Sequence, residues 1–196
     1  MIREKGIRLI QKGLFLFLLV SASCAHVGGS GDTYKDPNMD FGAIKAVAVM
    51  PLENLSRDTM AAERVRDVFT TMLISTGGIY VIPPGEVARG IARVGIAIPA
   101  TPSSEEIKKF AAVVSANAVL TGVVREYGEV RSGNSAANVI AVSLQMIEPD
   151  TGKTIWAAST TQGGIGFSDR LLGGGGKAMN SITEKACNDL IEKLFK

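Results

Sequence analysis

The chain has 196 residues, with 21 Lys and Arg against 19 Asp and Glu for a formal net charge of +2. Residues 1–23 hold four of the basic residues and one acidic residue, so the remainder carries −1 and has no basic surplus for a nucleic acid partner. The one histidine, His26, falls in a polar linker, which excludes a histidine-based triad and a zinc site built from several histidines.

Arg3, Lys5, Arg8 and Lys12 run into the apolar stretch Leu14 to Val20, followed by small residues and Cys24. This charge, apolar core and small-residue order is that of a secretory signal over residues 1–23, too short for a bilayer span of roughly 20 residues. Val20-Ser-Ala-Ser-Cys24 resembles the bacterial lipobox, in which the cysteine is acylated and becomes the mature N-terminus. Ala22, Ser23 and Cys24 fit; Ser21 departs from the usual aliphatic residue, and the competing reading is cleavage nearby that releases a soluble chain. With Ala25 rather than aspartate after the cysteine, the resemblance implies a lipid anchor in the outer membrane, facing the periplasm. Residues 24–39 have few large apolar side chains and read as a flexible tether.

Residues 40–196 are long enough for one core and read as a single α/β domain. "AIKAVAVMPLEN" (43–54) suits a buried strand ending at Pro51. Ala61, Val65, Val68, Phe69, Met72 and Leu73 then recur at helical spacing, in a helix capped by Ser56 or Asp58 and stopped at Gly77-Gly78. "IYVIPP" is a short strand, Pro84 opens a second helix, and Ser103 with Glu106 forms a capping box. The third helix turns Ile107, Phe110, Ala111 and Val114 inward. Three strand candidates follow: "NAVLTGVVREYGEV", "NVIAVSLQMIEP" and "KTIWAASTTQGG". The last two are joined by the turn Pro149–Gly152, and together they form an antiparallel meander. A closing helix presents Met179, Ile182, Ala186, Cys187, Leu190 and Leu194. The expected order is β-α-β-α-α-β-β-β-α, a three-layer-like domain with a mixed sheet of about five strands.

Ala46-Val-Ala-Val-Met-Pro-Leu-Glu-Asn-Leu-Ser56, "YVIPP", "ANAVLTGVV" and "VSLQMIEPDTGKTIWAAS" together resemble the periplasmic α/β domain of the curli-secretion lipoprotein CsgG and its relatives. Those relatives include PelC of exopolysaccharide export, the penicillin-binding-protein activator LpoB and the N-terminal domain of TolB. The resemblance covers roughly residues 44–195 and implies binding and assembly rather than catalysis. It implies a homo-oligomeric scaffold for export or assembly of a surface polymer or protein. The alternative is a module that regulates a partner enzyme such as a peptidoglycan synthase. Unlike the curli protein, this chain leaves no pair of strands over for a transmembrane barrel. A tether of about 16 residues reaches at most roughly 55 Å, short for crossing the cell wall to such an enzyme.

No hydrolase, dinucleotide or other cofactor motif occurs. "RLLGGGGKAMN" (170–180) fails as a phosphate loop, because Leu171 stands where its first glycine should be and Ala178 where magnesium needs a hydroxyl. Gly173–Gly176 read as a connection into the last helix, and Phe167, Leu171 and Leu172 as an oligomer interface. Glu126, Glu129 and Glu148, among Arg125 and Arg131, read as a solvated face. Glu53 and Asn54 follow the first strand where α/β folds bind ligands, but a turn and helix cap is the preferred reading. Trp156 is either core or a binding hot spot, with burial preferred. Cys187 reads as a buried apolar group without a disulfide partner.

Overall fold

The computed structural model describes residues 33–132, 135–164 and 177–196. Among them are seven strands, β1 Thr33–Lys35, β2 Ala46–Val49, β3 Glu53–Asn54, β4 Tyr80–Val81, β5 Ala118–Ser132, β6 Ser135–Ile147 and β7 Thr154–Gly163. Four α-helices accompany them: α1 Ala61–Ser75, α2 Pro84–Val94, α3 Ser104–Val114 and α4 Met179–Phe195. The strands form one mixed sheet in the order β1-β7-β6-β5-β2-β4, with β3 paired to β5 farther along the edge that β2 occupies. β2 lies parallel to both β4 and β5, while β5, β6, β7 and β1 follow one another antiparallel.

The run Ala46-Val-Ala-Val is apolar throughout because helices cover both sides of β2, as parallel strands require. Val47 and Val49 join a core with α1 and α4, whereas Ala48 and Met50 join a second core with α2 and α3. Helix α1 contributes Ala61, Val65, Phe69 and Leu73 to the first core, and α4 contributes Ile182, Ala186, Cys187, Leu190 and Leu194. These pack on Leu120, Val142, Leu144, Met146 and Trp156 of the antiparallel strands. Ile107 and Phe110 of α3 and Val87 of α2 fill the second core, which reaches only Val119 and Ile147 of β5 and β6. Pro84 starts α2, and Ser103 and Glu106 close the expected capping box on α3. The three layers are thus unequal, and among the described residues no helix covers one face of the antiparallel half of the sheet.

Three expectations need correction. The sheet has seven strands rather than about five, because β1 and β3 carry three and two residues, too few for any periodicity to show. Residues 33–39 are not tether: β1 pairs with β7, Asp36 N–H donates to the Ile155 carbonyl, and Lys35 donates to the Leu194 carbonyl at 3.3 Å. Tertiary pairing orders a segment whose composition alone would not. Finally, neither Ser56 nor Asp58 caps α1; Met60 occupies that position, and the Asp58 carboxylate, two residues before it, accepts the Met60 N–H at 2.9 Å.

Candidate functional site

The uncovered face of the antiparallel strands forms an open groove of about 570 Å³. Its floor comes from alternate residues: Thr121 and Val123 of β5, Ser143 and Gln145 of β6, and Ala157 and Ser159 of β7. Register places Gln145 beside both Thr121 and Ala157, and Ser143 beside both Val123 and Ser159. Glu53, Arg125 and Tyr34 stand at its margins, and Ala100–Pro102 close one end. Gln145 donates to the Thr121 hydroxyl at 3.1 Å, while the Ser143 hydroxyl oxygen is buried without a hydrogen-bond partner among the described residues. The floor thus presents short, uncharged side chains, with the charged Glu53 and Arg125 at its rim.

A second feature lies at the carboxyl ends of the parallel strands, where open α/β sheets often hold ligands. Asn54 organises the loop before α1: its amide donates to the Asp58 carbonyl at 2.8 Å and to the Thr59 carbonyl at 3.2 Å. Its side-chain oxygen accepts from the Ser56 N–H at 3.0 Å and the Ser56 hydroxyl at 2.7 Å. Arg66 folds back from α1 so that Nε and Nη2 both donate to the Val49 carbonyl, at 3.1 and 2.8 Å. Partial burial pushes its pKa down, opposed by the charges of Glu63 and Asp67. A cleft of about 350 Å³ beside it is lined by both signs of charge, Glu63 and Asp67 with Arg64 and Arg66. Arg66 lies off the apolar stripe of α1, and only the position of β2 shows that its guanidinium finishes a strand end.

The residues singled out from the sequence are dispersed. Cys24, His26, Phe167, Leu171 and Leu172 lie outside the described residues. Glu126 and Glu129 are exposed on the outer half of β5, with Glu129 paired to Arg131, while Glu148 accepts a hydrogen bond from Thr151 at the β6–β7 turn. Glu53 borders the open groove, and Asn54 builds the turn expected of it. Trp156 is fully buried under α4 and its indole N–H donates to the Lys193 carbonyl at 3.2 Å, so the burial reading holds. Cys187 is buried and free, its thiol pushed up to about 12 by burial and by the charge of Glu184. The open groove itself was missed, because its residues alternate with core residues and look like any solvated strand face.

The sequence pattern of the family described as "Putative lipoprotein GNA1162-like" matches residues 39–188. No curated protein matches the chain by sequence. The chain is similar in structure to the PelC dodecamer from Paraburkholderia phytofirmans, at 16% identity and a TM-score of 0.56, covering 84% of this chain and 98% of that one. It is also similar to lipoprotein GNA1162 from Neisseria meningitidis, at 21% identity and a TM-score of 0.54, covering 76% and 99%. The LpoB C-terminal domain from Salmonella enterica is more distant, at 16% identity and a TM-score of 0.49, covering 65% and 87%. At these identities the PelC and GNA1162 structures bear out the expected fold alone, and the family match over most of the domain identifies the chain as a member of the GNA1162-like lipoprotein family.

Proposed function

We propose that this protein is an outer-membrane lipoprotein, anchored through Cys24 and facing the periplasm, that assembles with its own copies into a scaffold for export or assembly of a surface polymer or protein. The role is one of binding, without catalysis or a cofactor. The observation that carries the reading is the shared fold with a chain that is a dodecamer. The face of the antiparallel strands opposite α1 and α4 supports it, being a broad surface that no helix among the described residues covers.

Phe167, Leu171 and Leu172 are our candidate contacts between copies. Both flanks of their segment are held by Asn138, whose carbonyl accepts the Gly164 N–H at 2.8 Å and whose amide donates to the Lys177 carbonyl at 2.9 Å. The pairing of β1 weighs against a regulator that reaches across the cell wall. It leaves nine residues from Cys24 to Thr33, at most about 30 Å of extended chain. Light scattering of the mature chain at several concentrations, with and without lipid vesicles, tests the scaffold. A monomer under every condition overturns it, and an oligomer unaltered by Leu171→Ser with Leu172→Ser overturns the contact residues.

A further inference from the structure

Two rows of side chains cross the open groove from strand to strand. Register sets Glu53 of β3 beside Val123 of β5, Val123 beside Ser143 of β6, and Ser143 beside Ser159 of β7. Toward the amino end of β5, Thr121, Gln145 and Ala157 line up in the same way and end on Tyr34 of β1. Paired residues turn to one face, and the rows lie about 7 Å apart, two residues along each strand. From β3 to β1 the floor is about 19 Å wide, four steps of about 4.8 Å between strands.

The two sides of this floor differ. On the β1 side Tyr34 is 50% exposed, the one large apolar side chain open to solvent among the described residues that line the groove. On the β3 side Arg125 occupies a bulge without a partner on β6, two residues beyond Val123, which pairs with Glu53. Neither Glu53 nor Arg125 enters an ion pair among the described residues.

These features set the chemistry of an occupant. β6 is paired by β5 and β7, and β7 by β6 and β1, so the floor offers no free row of backbone N–H groups to an extended peptide. One guanidinium beside one carboxylate gives no net charge to hold a polyanion or a polycation. The floor itself has no large apolar anchor of the kind that carries a protein contact, so contacts between copies fall to other surfaces. What matches is an uncharged ligand that donates and accepts hydrogen bonds along its whole length. Vicinal hydroxyls do this: one accepts from the Arg125 guanidinium while its neighbour donates to the Glu53 carboxylate, and the Gln145 amide takes either role. The Tyr34 ring offers an apolar surface to the C–H side of a sugar.

We propose that this groove binds a glycan, an uncharged polyhydroxylated chain lying across β5, β6 and β7 with Tyr34 at one end and Glu53 and Arg125 at the other. Its volume of about 570 Å³ suits a short run of sugar rings rather than one. The inference rests on the export reading above, whose cargo it assigns to one chemical class, and the two fail separately.

The full chain, purified from its host's membranes in a detergent without a sugar headgroup, is titrated with cellohexaose, maltohexaose and chitohexaose. Dextran sulfate and polylysine serve as charged controls. Tyr34→Trp places a reporter at the rim, against a constant background from the buried Trp156. At least one neutral hexasaccharide should shift its emission saturably, while a reporter at the exposed Tyr80, Tyr80→Trp, should not respond. By calorimetry, Arg125→Gln and Gln145→Ala should each weaken binding by about three- to ten-fold, the loss of one or two hydrogen bonds, with the melting curve unchanged. No response to any of the three sugars, equal binding by parent and both variants, or binding of a charged control alone overturns the proposal. So does a Tyr34→Trp emission that follows protein concentration and ignores sugar, which would place a second copy on the groove. Light scattering of the same samples separates the readings: a monomer that binds sugar refutes the scaffold and supports the groove, whereas an oligomer that binds none refutes the groove and leaves the scaffold standing.

Discussion

Replacing Trp156 by alanine removes the largest fully buried side chain of the domain. Truncation of a core aromatic costs about 3–5 kcal/mol through lost transfer energy and an incompletely collapsed cavity. The Lys193 carbonyl in α4 also loses its indole donor, adding about 1 kcal/mol. The sum, about 4–6 kcal/mol, approaches the whole stability of an ordinary domain, which is about 5–15 kcal/mol. With a urea slope of about 2 kcal/mol/M, the midpoint should fall by about 2–3 M. Trp156→Phe keeps most of the packing and should cost about 1–2 kcal/mol, mainly from the lost hydrogen bond and a smaller void. Because Trp156 is the only tryptophan, both variants are followed by far-UV circular dichroism rather than fluorescence. A Trp156→Ala protein that unfolds within about 1 kcal/mol of the parent would refute the core assignment, and loss of the oligomer alone would revive a surface role.

Other consequences are open to measurement. A Cβ at Gly90 would lie 2.5 Å from Val114 Cγ1 and 2.9 Å from Phe110 Cε2, so Gly90→Ala should force α2 and α3 apart. Overpacking of about 1–3 kcal/mol outweighs the helix propensity gained, for a net loss of about 1 kcal/mol and a Tm lower by about 3 °C. Cys187 should resist thiol reagents at pH 8 in the native state and react on unfolding in urea; native labelling would contradict its burial. At Asp189 burial acts to raise the pKa, but hydrogen bonds from Lys193 and Thr160 and the charges of Lys193 and Lys196 outweigh it and hold the carboxyl below its ordinary value. Its stabilisation is therefore complete above the unfolded carboxylate pKa of about 3.9 and lost as pH falls through the lower native value. Asp189→Asn should be less stable than the parent near neutrality and should converge with it in acid; a constant difference down to the lowest pH would contradict the ion pair with Lys193.

The long elements could be read from the chain because each repeats its own period. The i, i+3, i+4 pattern of Ala61, Val65, Phe69 and Leu73, the capping box of Ser103 and Glu106, and the proline opening α2 are local signals for local structure. The pairs of short strands were illegible for the converse reason. Thr33-Tyr-Lys35 and Glu53-Asn54 contain no pattern of their own and exist because β7 and β5 offer unsatisfied backbone groups at those places. The open groove was illegible because Thr121, Ser143, Gln145 and Ser159 come from three strands and meet only through register.

Charge balance, the signal-like N-terminus, the α/β class and the buried faces of α1, α3 and α4 were legible in the chain, all being properties of neighbouring residues. Tertiary structure alone decided that α2 and α3 cover only the parallel half of the sheet. It also decided that Arg66 terminates β2, and that residues 33–35 close the far edge of the sheet against β7. The reason is range: helix periodicity and caps act over a few residues, whereas a pairing such as Thr33 with Ala158 joins residues far apart in sequence. Which of the residues between them will meet is settled only by the packing of the whole domain.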